Sequence, residues 1–461
     1  MGVVSDAAEV KKLIECRLEY SLSDEGGVVG SGEAKGIIDE KNVSIVPAMG
    51  EPILFSPREI LEFSESDYVI DLLLTSKEKL VLSKLGINFE NFSRILSATR
   101  NEVVMKDLLM NESLIVGGLK GSYEFNGKAG NCELRIYDSG LVAMVERGEP
   151  LRFHYSNITG IADGDYRLTL TMENGEKLIL SKMGGQYDPF KKALNDAMNA
   201  LTLKAQDLIK SVAPQADSSM ARRASRLMRD GKAARKADLD AISPSIWHGL
   251  EKKMEEIGIL EEYTFLKSLA QPDRMCVGIK HGLMGDLTGD YLWVLAPVYG
   301  SNAIVLEAVS VGEGETVEKL ASAADSAETA PAEAPPEEKE AEESTGGGRW
   351  ATYVFRVVGR GEYPPRDMAE KTDQFIKELN DCMLSINFRR EPIFLSDGDI
   401  DLPKNIGYWY SVRRIPALGE LRDHFVGRVM HVNKEQWQKG VRDVLSFNVG
   451  TRDDRAPYKK G

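Results

Sequence analysis

Residues Gly50 to Phe92 lie on Gly148 to Phe190 at a constant separation of ninety-eight, with no gap. "GEPILFSPREI" falls on "GEPLRFHYSNI", Asp67-Tyr68 on Asp165-Tyr166, and "EKLVLSKLG" on "EKLILSKMG", with Phe92 on Phe190 closing the match. A pair of similar pentamers arises by chance, whereas a register held over about forty residues is an internal repeat. The first half of the chain is therefore two copies of one unit, and the secondary structure of that unit sets the fold class of both.

The unit reads as strands followed by one helix. In the second copy "LKGSYEF", "CELRIY", "LVAMVE", "LRFHY" and "YRLTLTM" alternate or carry β-branched and aromatic residues, separated by Asn126-Gly127, Ser139-Gly140 and Gly148. Asn174-Gly175 between two apolar runs predicts a tight hairpin. Phe190, Leu194, Ala197, Leu201, Ala205, Leu208 and Val212 then recur at helical spacing until Pro214 stops the helix. Seven strands and a C-terminal helix, with the "NGEKLILS" hairpin and a helix opened by "YDPF" or "FENF", resemble the pleckstrin-homology (PH) and GRAM superfold over about residues 10 to 213. That resemblance implies two tandem bent antiparallel barrels, each closed at one end by its helix. It also implies binding of phosphoinositides, peptides or other proteins, since few members of the superfold are enzymes.

After Leu203 the character becomes helical. Ser243-Pro244 predicts a helix start with an N-cap and a first-turn proline, and Trp247, Leu250, Met254 and Ile257 form its apolar stripe. Strands resume at Met275, where "DYLWVLAPVY", Gly300-Ser301-Asn302 and "AIVLEAVS" predict a hairpin with "TYVFRVV" as the next strand. The stretch between the last two is rich in Ala, Pro and Glu, carries eleven acids against two lysines, and has too little apolar surface to order itself. A helix over about Pro365 to Leu384 and a helical tail containing Trp437 and Val441 complete the pattern. The expected fold class is α+β. PH-like domain 1 occupies residues 1–112, PH-like domain 2 residues 113–213, and a basic helical connector 214–270. A C-terminal α+β domain at 271–461 is interrupted by a disordered acidic loop at 311–348. "REPIFLSDGDI" at Arg390 echoes "GEPILFSPREI", but no "EKLxLSK" follows it, so no third copy is expected.

The chain has 461 residues, 42 % hydrophobic and 28 % charged, which is long enough for several cores without disulfide or metal staples. Cys16, Cys132, Cys276 and Cys382 are far apart with no C-x-x-C, so neither a disulfide framework nor a zinc site is expected. No apolar run approaches a membrane span, and "MGVVSDAAEVKK" lacks a signal-peptide core, so a cytoplasmic location is expected. The net charge of −14 opposes wholesale binding to nucleic acid or anionic lipid.

Few motifs carry chemistry. "GSYEFNGKA" at Gly121 has the wrong glycine spacing for a phosphate loop and lacks its hydroxyl residue, and it reads as a hairpin. Cys276, His281 and Asp286 are the best nucleophilic constellation, yet Cys276 and His281 have opposite parity on a strand. No catalytic residue, cofactor or metal is expected. For headgroup recognition the first copy offers the acidic "SLSDEGGVVGSGEAK", and the second offers Lys120, Lys128 and Arg135 with Glu133 beside the arginine. Arg222, Arg223, Arg226, Arg229, Lys232, Arg235 and Lys236, facing only Asp230, are the candidate residues for an anionic partner, with 222, 226 and 229 spaced for one helical face. "YWYSVRR" from Tyr408 and "INFRREP" from Ile386 interleave aromatics with arginines in the manner of a single-strand binder or of a core edge.

These readings converge on a non-catalytic interaction or scaffold protein that binds a protein partner through its PH-like domains. A binder of an anionic membrane surface or nucleic acid through the connector is the second class. Tandem PH-like modules with an acidic stretch are also combined in eukaryotic histone chaperones, which adds a binder of basic proteins through the acidic loop. An enzyme with a site in the C-terminal domain is the third class. The partner and the oligomeric state are not set by the sequence.

Overall fold

The computed structural model describes residues 12–107, 112–146, 148–280, 290–311, 350–358 and 368–450. It is an α+β structure in which each copy of the repeat is a seven-stranded antiparallel sheet followed by a helix. The first contains β1 (Lys12–Asp24), β2 (Gly27–Asp39), β3 (Val43–Pro47), β4 (Ile53–Phe55), β5 (Ile60–Ser66), β6 (Val69–Leu74) and β7 (Lys79–Ser83), then α1 (Phe89–Asp107). The second contains β8 (Leu114–Phe125), β9 (Lys128–Tyr137), β10 (Gly140–Val145), β11 (Leu151–His154), β12 (Ile158–Gly164), β13 (Arg167–Met172) and β14 (Lys177–Ser181), then α2 (Tyr187–Val212). Strand orders β4-β3-β2-β1-β7-β6-β5 and β11-β10-β9-β8-β14-β13-β12 are the same path through space.

Alternation drives the burial. Ile70, Leu72 and Leu74 on β6 and Leu80 and Leu82 on β7 face one core, into which α1 presses Phe89, Phe92 and Leu96. The matched residues of the sequence also share backbone geometry. Asp67 and Tyr68 take φ 50° and 62°, and Asp165 and Tyr166 take 52° and 55°. That left-handed turn sends Tyr68 edge-on against Phe89 at 5.3 Å and Tyr166 against Tyr187 at 5.6 Å, fastening the hairpin to the helix in each copy.

Asn174-Gly175 stand in the turn between β13 and β14, the hairpin expected there. Met172 N–H donates to Glu176 O at 2.8 Å, and only Gly175, at φ 88°, is left-handed. Its counterpart is Lys77 at φ 69°, a conformation that costs a side-chain-bearing residue about 1 kcal/mol.

Tertiary contacts divide the chain into two compact units, one running to Leu194 and the other from Asn195. The second is built on a six-stranded antiparallel sheet ordered β15 (Ala234–Arg235), β16 (Cys276–Lys280), β17 (Asp290–Val298), β18 (Ala303–Val311), β19 (Trp350–Arg356) and β20 (Phe425–Val429). Leu292, Val294, Ala296 and Val298 turn one face of β17 to a core shared with α5 (Pro244–Glu256), α6 (Leu260–Leu269) and a helix over Lys434–Gly450. On the opposite face Phe355 meets Phe375, and Trp293 meets Phe388. Layers on both sides explain why β17 and β18 read as continuous apolar runs.

The segment 214–270 is thus part of this unit and not a separate connector. β15 pairs with β16, and α3 (Ser218–Leu227), α4 (Lys236–Asp240), α5 and α6 share the sheet's core. Two strand residues amid helical spacing are too few to register as a strand in the sequence. The acidic loop expected at 311–348 lies outside the described residues except for Val311, which ends β18.

Candidate functional site

The same groove occurs once in each repeat. In repeat one it runs over the outer face of β1, β2 and β3, with Arg17, Ala34, Lys35, Val46, Pro47 and Lys84 along it and a volume of about 540 Å³. In repeat two the corresponding residues are Lys120, Cys132, Glu133, Met144, Val145 and Lys182, around a volume of about 430 Å³. Strand pairing confirms the correspondence: Lys35 lies opposite Val46 and Ile37 opposite Ser44, as Glu133 lies opposite Met144 and Arg135 opposite Val142. Each groove lies on the outer face of a sheet whose inner face is core.

One groove is walled by a helix and the other is open. Arg94, Ala98, Asn101 and Glu102 of α1 form a wall of the groove in repeat two. Asn101 Nδ2 donates to Val145 O at 3.2 Å and Gly148 O at 2.9 Å, capturing two carbonyls at the groove's end. Arg135 forks onto Glu102 with distances of 2.5 and 3.1 Å, and Met105 packs on Val142 and Met144. Arg100, 1 % exposed, donates to Ile60 O and Leu61 O of its own repeat and pairs with Glu149 of the next at 2.5 Å. Helix α1 is therefore buried on two sides, with Phe89, Phe92 and Leu96 toward its own sheet and Asn101 and Met105 toward the next. Over the groove of repeat one no described element lies in the corresponding place, and Val46 is 36 % exposed where Met144 is 8 % exposed.

Neither groove was singled out by the sequence motifs, although a signal was present. β10, "GLVAMV", is buried at every position, whereas β3, "VSIVP", alternates. A continuous apolar run in one copy against alternation in the other marks a sheet face that is covered once and open once. The first hairpin differs too: twelve positions separate Tyr20 from its partner Gly32, and seven separate Tyr123 from its partner Gly130. The longer hairpin exposes Val28 (68 %) and Val29 (59 %) near its tip.

The basic cluster at 222–236 is divided by the fold. Arg222, Arg223 and Arg226 project from α3, whose inward face is Ala221, Ala224 and Ser225, and they form no ion pair among the described residues. Arg229 lies beyond the helix end, so the spacing 222, 226, 229 does not make one helical face; its Nε donates to Arg226 O at 3.3 Å. Lys232 pairs with Asp381 at 3.6 Å, Arg235 with Asp238 and Asp373 at 2.8 and 3.1 Å, and Lys236 with Asp240. Asp373 and Asp381 lie on the helix Met368–Ser385, so Lys232 and Arg235 reach another element of the unit, whereas Asp238 and Asp240 are local partners on α4.

The other sequence candidates also have definite places. Asn126 and Gly127, both left-handed, form the β8–β9 turn inside "GSYEFNGKA". Lys120 and Lys182 line the walled groove, Lys128 opens β9, and Arg135 is engaged by Glu102 and Glu133. Arg413 stacks 3.5 Å over Trp409 and Arg414 lies 5.0 Å over Tyr410, each guanidinium on an aromatic of its own helix, Ile406–Arg414. Cys276 is buried, and burial pushes its thiol up to about 12, away from the thiolate a nucleophile needs. His281 and Asp286 lie outside the described residues.

A buried polar cluster joins Glu307, Thr352, His431 and Trp437. His431 Nε2 lies 2.9 Å from Glu307 Oε1 and 3.1 Å from Thr352 Oγ1, and Trp437 Nε1 donates to Thr352 Oγ1 at 2.6 Å. A nucleophile–base–acid relay needs one imidazole nitrogen on the hydroxyl and the other on the carboxylate. Here Nε2 meets both, which is the geometry of satisfied core polarity. Among the described residues no group of three or more His, Cys, Asp or Glu is placed to hold a metal, and no helix is long and apolar enough to cross a membrane.

No protein-family model matches the chain, and no curated protein matches it. Among solved structures it is similar to the C-terminal domain of an unknown protein from Leishmania infantum, with 15 % identity over 21 % of this chain and 96 % of that one and a TM-score of 0.19. It is also similar to the Spt16D Pob3N heterodimer, with 14 % identity over 35 % of this chain and 85 % of that one and a TM-score of 0.16. Likeness at this level assigns neither a family nor an activity.

Proposed function

We propose that the chain is a non-catalytic interaction protein whose two N-terminal repeats are PH-like modules, and that the open groove of repeat one docks a helix of a protein partner. The supporting observation is internal: the equivalent groove of repeat two takes a helix, α1, through two backbone carbonyls, an ion pair and a methionine. A surface that binds a helix in one copy and stands open in the other is a docking site with a known kind of occupant. The partner helix carries a small or polar residue over the carbonyls of Pro47 and Gly50 and an apolar one over Ile37 and Val46. A photoreactive residue at Val46 should cross-link to a second polypeptide, with the adduct mapped to the groove and lost on Ile37→Arg. The same probe at Met144 should cross-link only within the chain, to α1. Adducts at Val46 that are absent, or indifferent to Ile37→Arg, would remove the reading.

A second reading, anion binding, is favoured by Arg222, Arg223 and Arg226, which are exposed on α3 without ion pairs among the described residues. Changing all three to Gln should abolish salt-sensitive binding to anionic vesicles or nucleic acid, and unchanged binding would reject it.

A further inference from the structure

The two repeats leave one open groove and one open helix. The groove is that of repeat one; the helix is α2, which stands in repeat two where α1 stands in repeat one. Along α1 the residues that meet the next groove are Asn101, Glu102 and Met105. Along α2 the corresponding residues are Asn199, Ala200 and Leu203, all exposed, Leu203 by 58 %. We infer that the α2 stripe of one chain docks into the open groove of a second copy, so that the protein associates head to tail. This inference rests on the groove reading above and names its occupant.

Residue-by-residue complementarity carries it. Asn199 keeps the amide that Asn101 uses to capture carbonyls, and Pro47 and Gly50 present the same backbone groups as Val145 and Gly148. Leu203 replaces Met105 as the apolar contact, with Val46 in the place of Met144 and Ser44 in the place of Val142 beneath it. The most telling change is a paired one. Inside the chain Glu102 meets Arg135 at 2.5 Å; across two chains Ala200 would meet Ile37. A charged pair is exchanged for an apolar pair on both sides at once, whereas changing one side alone would leave a charge facing an apolar residue.

The geometry fixes the kind of assembly. Groove and stripe are different surfaces, so each contact is heterologous and joins copies head to tail, in a closed ring or an open chain. The net charge of −14 repels like molecules, so association strengthens as salt screens that repulsion.

The test uses the full chain in sedimentation velocity across a concentration series. Wild type is expected to shift to larger species as concentration rises, more so at higher salt. Val46→Glu disables the groove and Leu203→Glu disables the stripe; both positions are exposed, and unchanged melting curves verify the folds. Each variant alone is expected to stay monomeric. An equimolar mixture should form a species of two copies and stop, because one variant retains only a stripe and the other only a groove. Wild type that remains monomeric at every concentration, or oligomers that both variants leave intact, would overturn the inference. In the monomeric case a groove-mapped adduct at Val46 with a different polypeptide would keep the docking reading while removing self-association.

Discussion

Repeat one and repeat two share strand order, left-handed turns and a groove, yet one groove is walled by a helix and the other faces solvent. The difference lies in a handful of outward positions: Lys35, Ile37, Ser44 and Val46 in one copy, Glu133, Arg135, Val142 and Met144 in the other. The two sheets share one strand order, and their outer faces differ according to what covers them. A repeat protein of this kind advertises its free surface by comparison with its own occupied one.

Substitution at matched positions tests the contrast most strongly. Met144→Lys places an unpaired charge under α1 and should cost about 3 kcal/mol or more, whereas Val46→Lys at the open position should change stability by less than about 0.5 kcal/mol. The repeats contain no tryptophan, so urea unfolding of their sheets is followed by circular dichroism, and fluorescence reports the C-terminal unit. Equal effects at the two positions would mean that both grooves are alike. Next in size is Arg100→Ala, which leaves two carbonyls of repeat one without their donor and should lose about 2 kcal/mol; its counterpart Met198→Ala should lose less than about 1 kcal/mol in the same measurement.

A smaller effect separates the turns. Gly175→Lys imposes on repeat two the left-handed side chain that repeat one tolerates at Lys77, at a cost of about 1 kcal/mol, and Lys77→Gly should recover up to about that amount. Thermal melts of the two variants should move in opposite directions.

The smallest difference is electrostatic. Asp163 takes a hydrogen bond from Lys191 at 2.7 Å and another from the Tyr187 hydroxyl, which together hold its carboxyl below the ordinary value; Glu65, at the same place in repeat one, meets Ser93 instead. A depressed carboxyl stabilises the fold above the ordinary carboxylate range, and that contribution disappears as the pH falls through the folded-state value. Carbon-detected NMR titration should place Asp163 below a free aspartate. Lys191→Met with Tyr187→Phe should return it toward the ordinary value, and a titration unmoved by that pair would contradict the assignment of cause.

Much of the N-terminal fold was legible because its signals are local. Alternating strands and helices opening at Phe89 and Tyr187 repeat in register and follow from side-chain period, whereas the left-handed Asp-Tyr pairs stand out in the sequence only as matched residues, with Tyr166 read as the start of a strand. The C-terminal unit was legible in pieces: the hairpin of β17 and β18 and the stripe of Trp247, Leu250 and Met254 stand where the pattern puts them. Its assembly was not, because β15 is two residues long and enters the sheet through pairing with a strand some forty residues later. The candidate cations fared similarly, since a run of like charges does not show which members meet Asp373, Asp238 or Asp381 after folding. The groove carries no motif of its own: it is written only in the contrast between the alternating β3 and the continuously apolar β10.

Helix α2 has a consequence for how this chain can be cut or lengthened. Its early residues Phe190 and Leu194 are fully buried, while Ile209, Val212 and Ala213 belong to the C-terminal core, where Gly249 of α5 lies so close that a Cβ there would sit 1.7 Å from Val212 O. A fragment ending at 213, where the sequence suggests a domain boundary, removes three residues from the core that follows it. Both halves of a dissected protein would need their own copy of α2. By the same token a further repeat cannot be spliced covalently after the second without dismantling that core, so within one chain the array ends at α2.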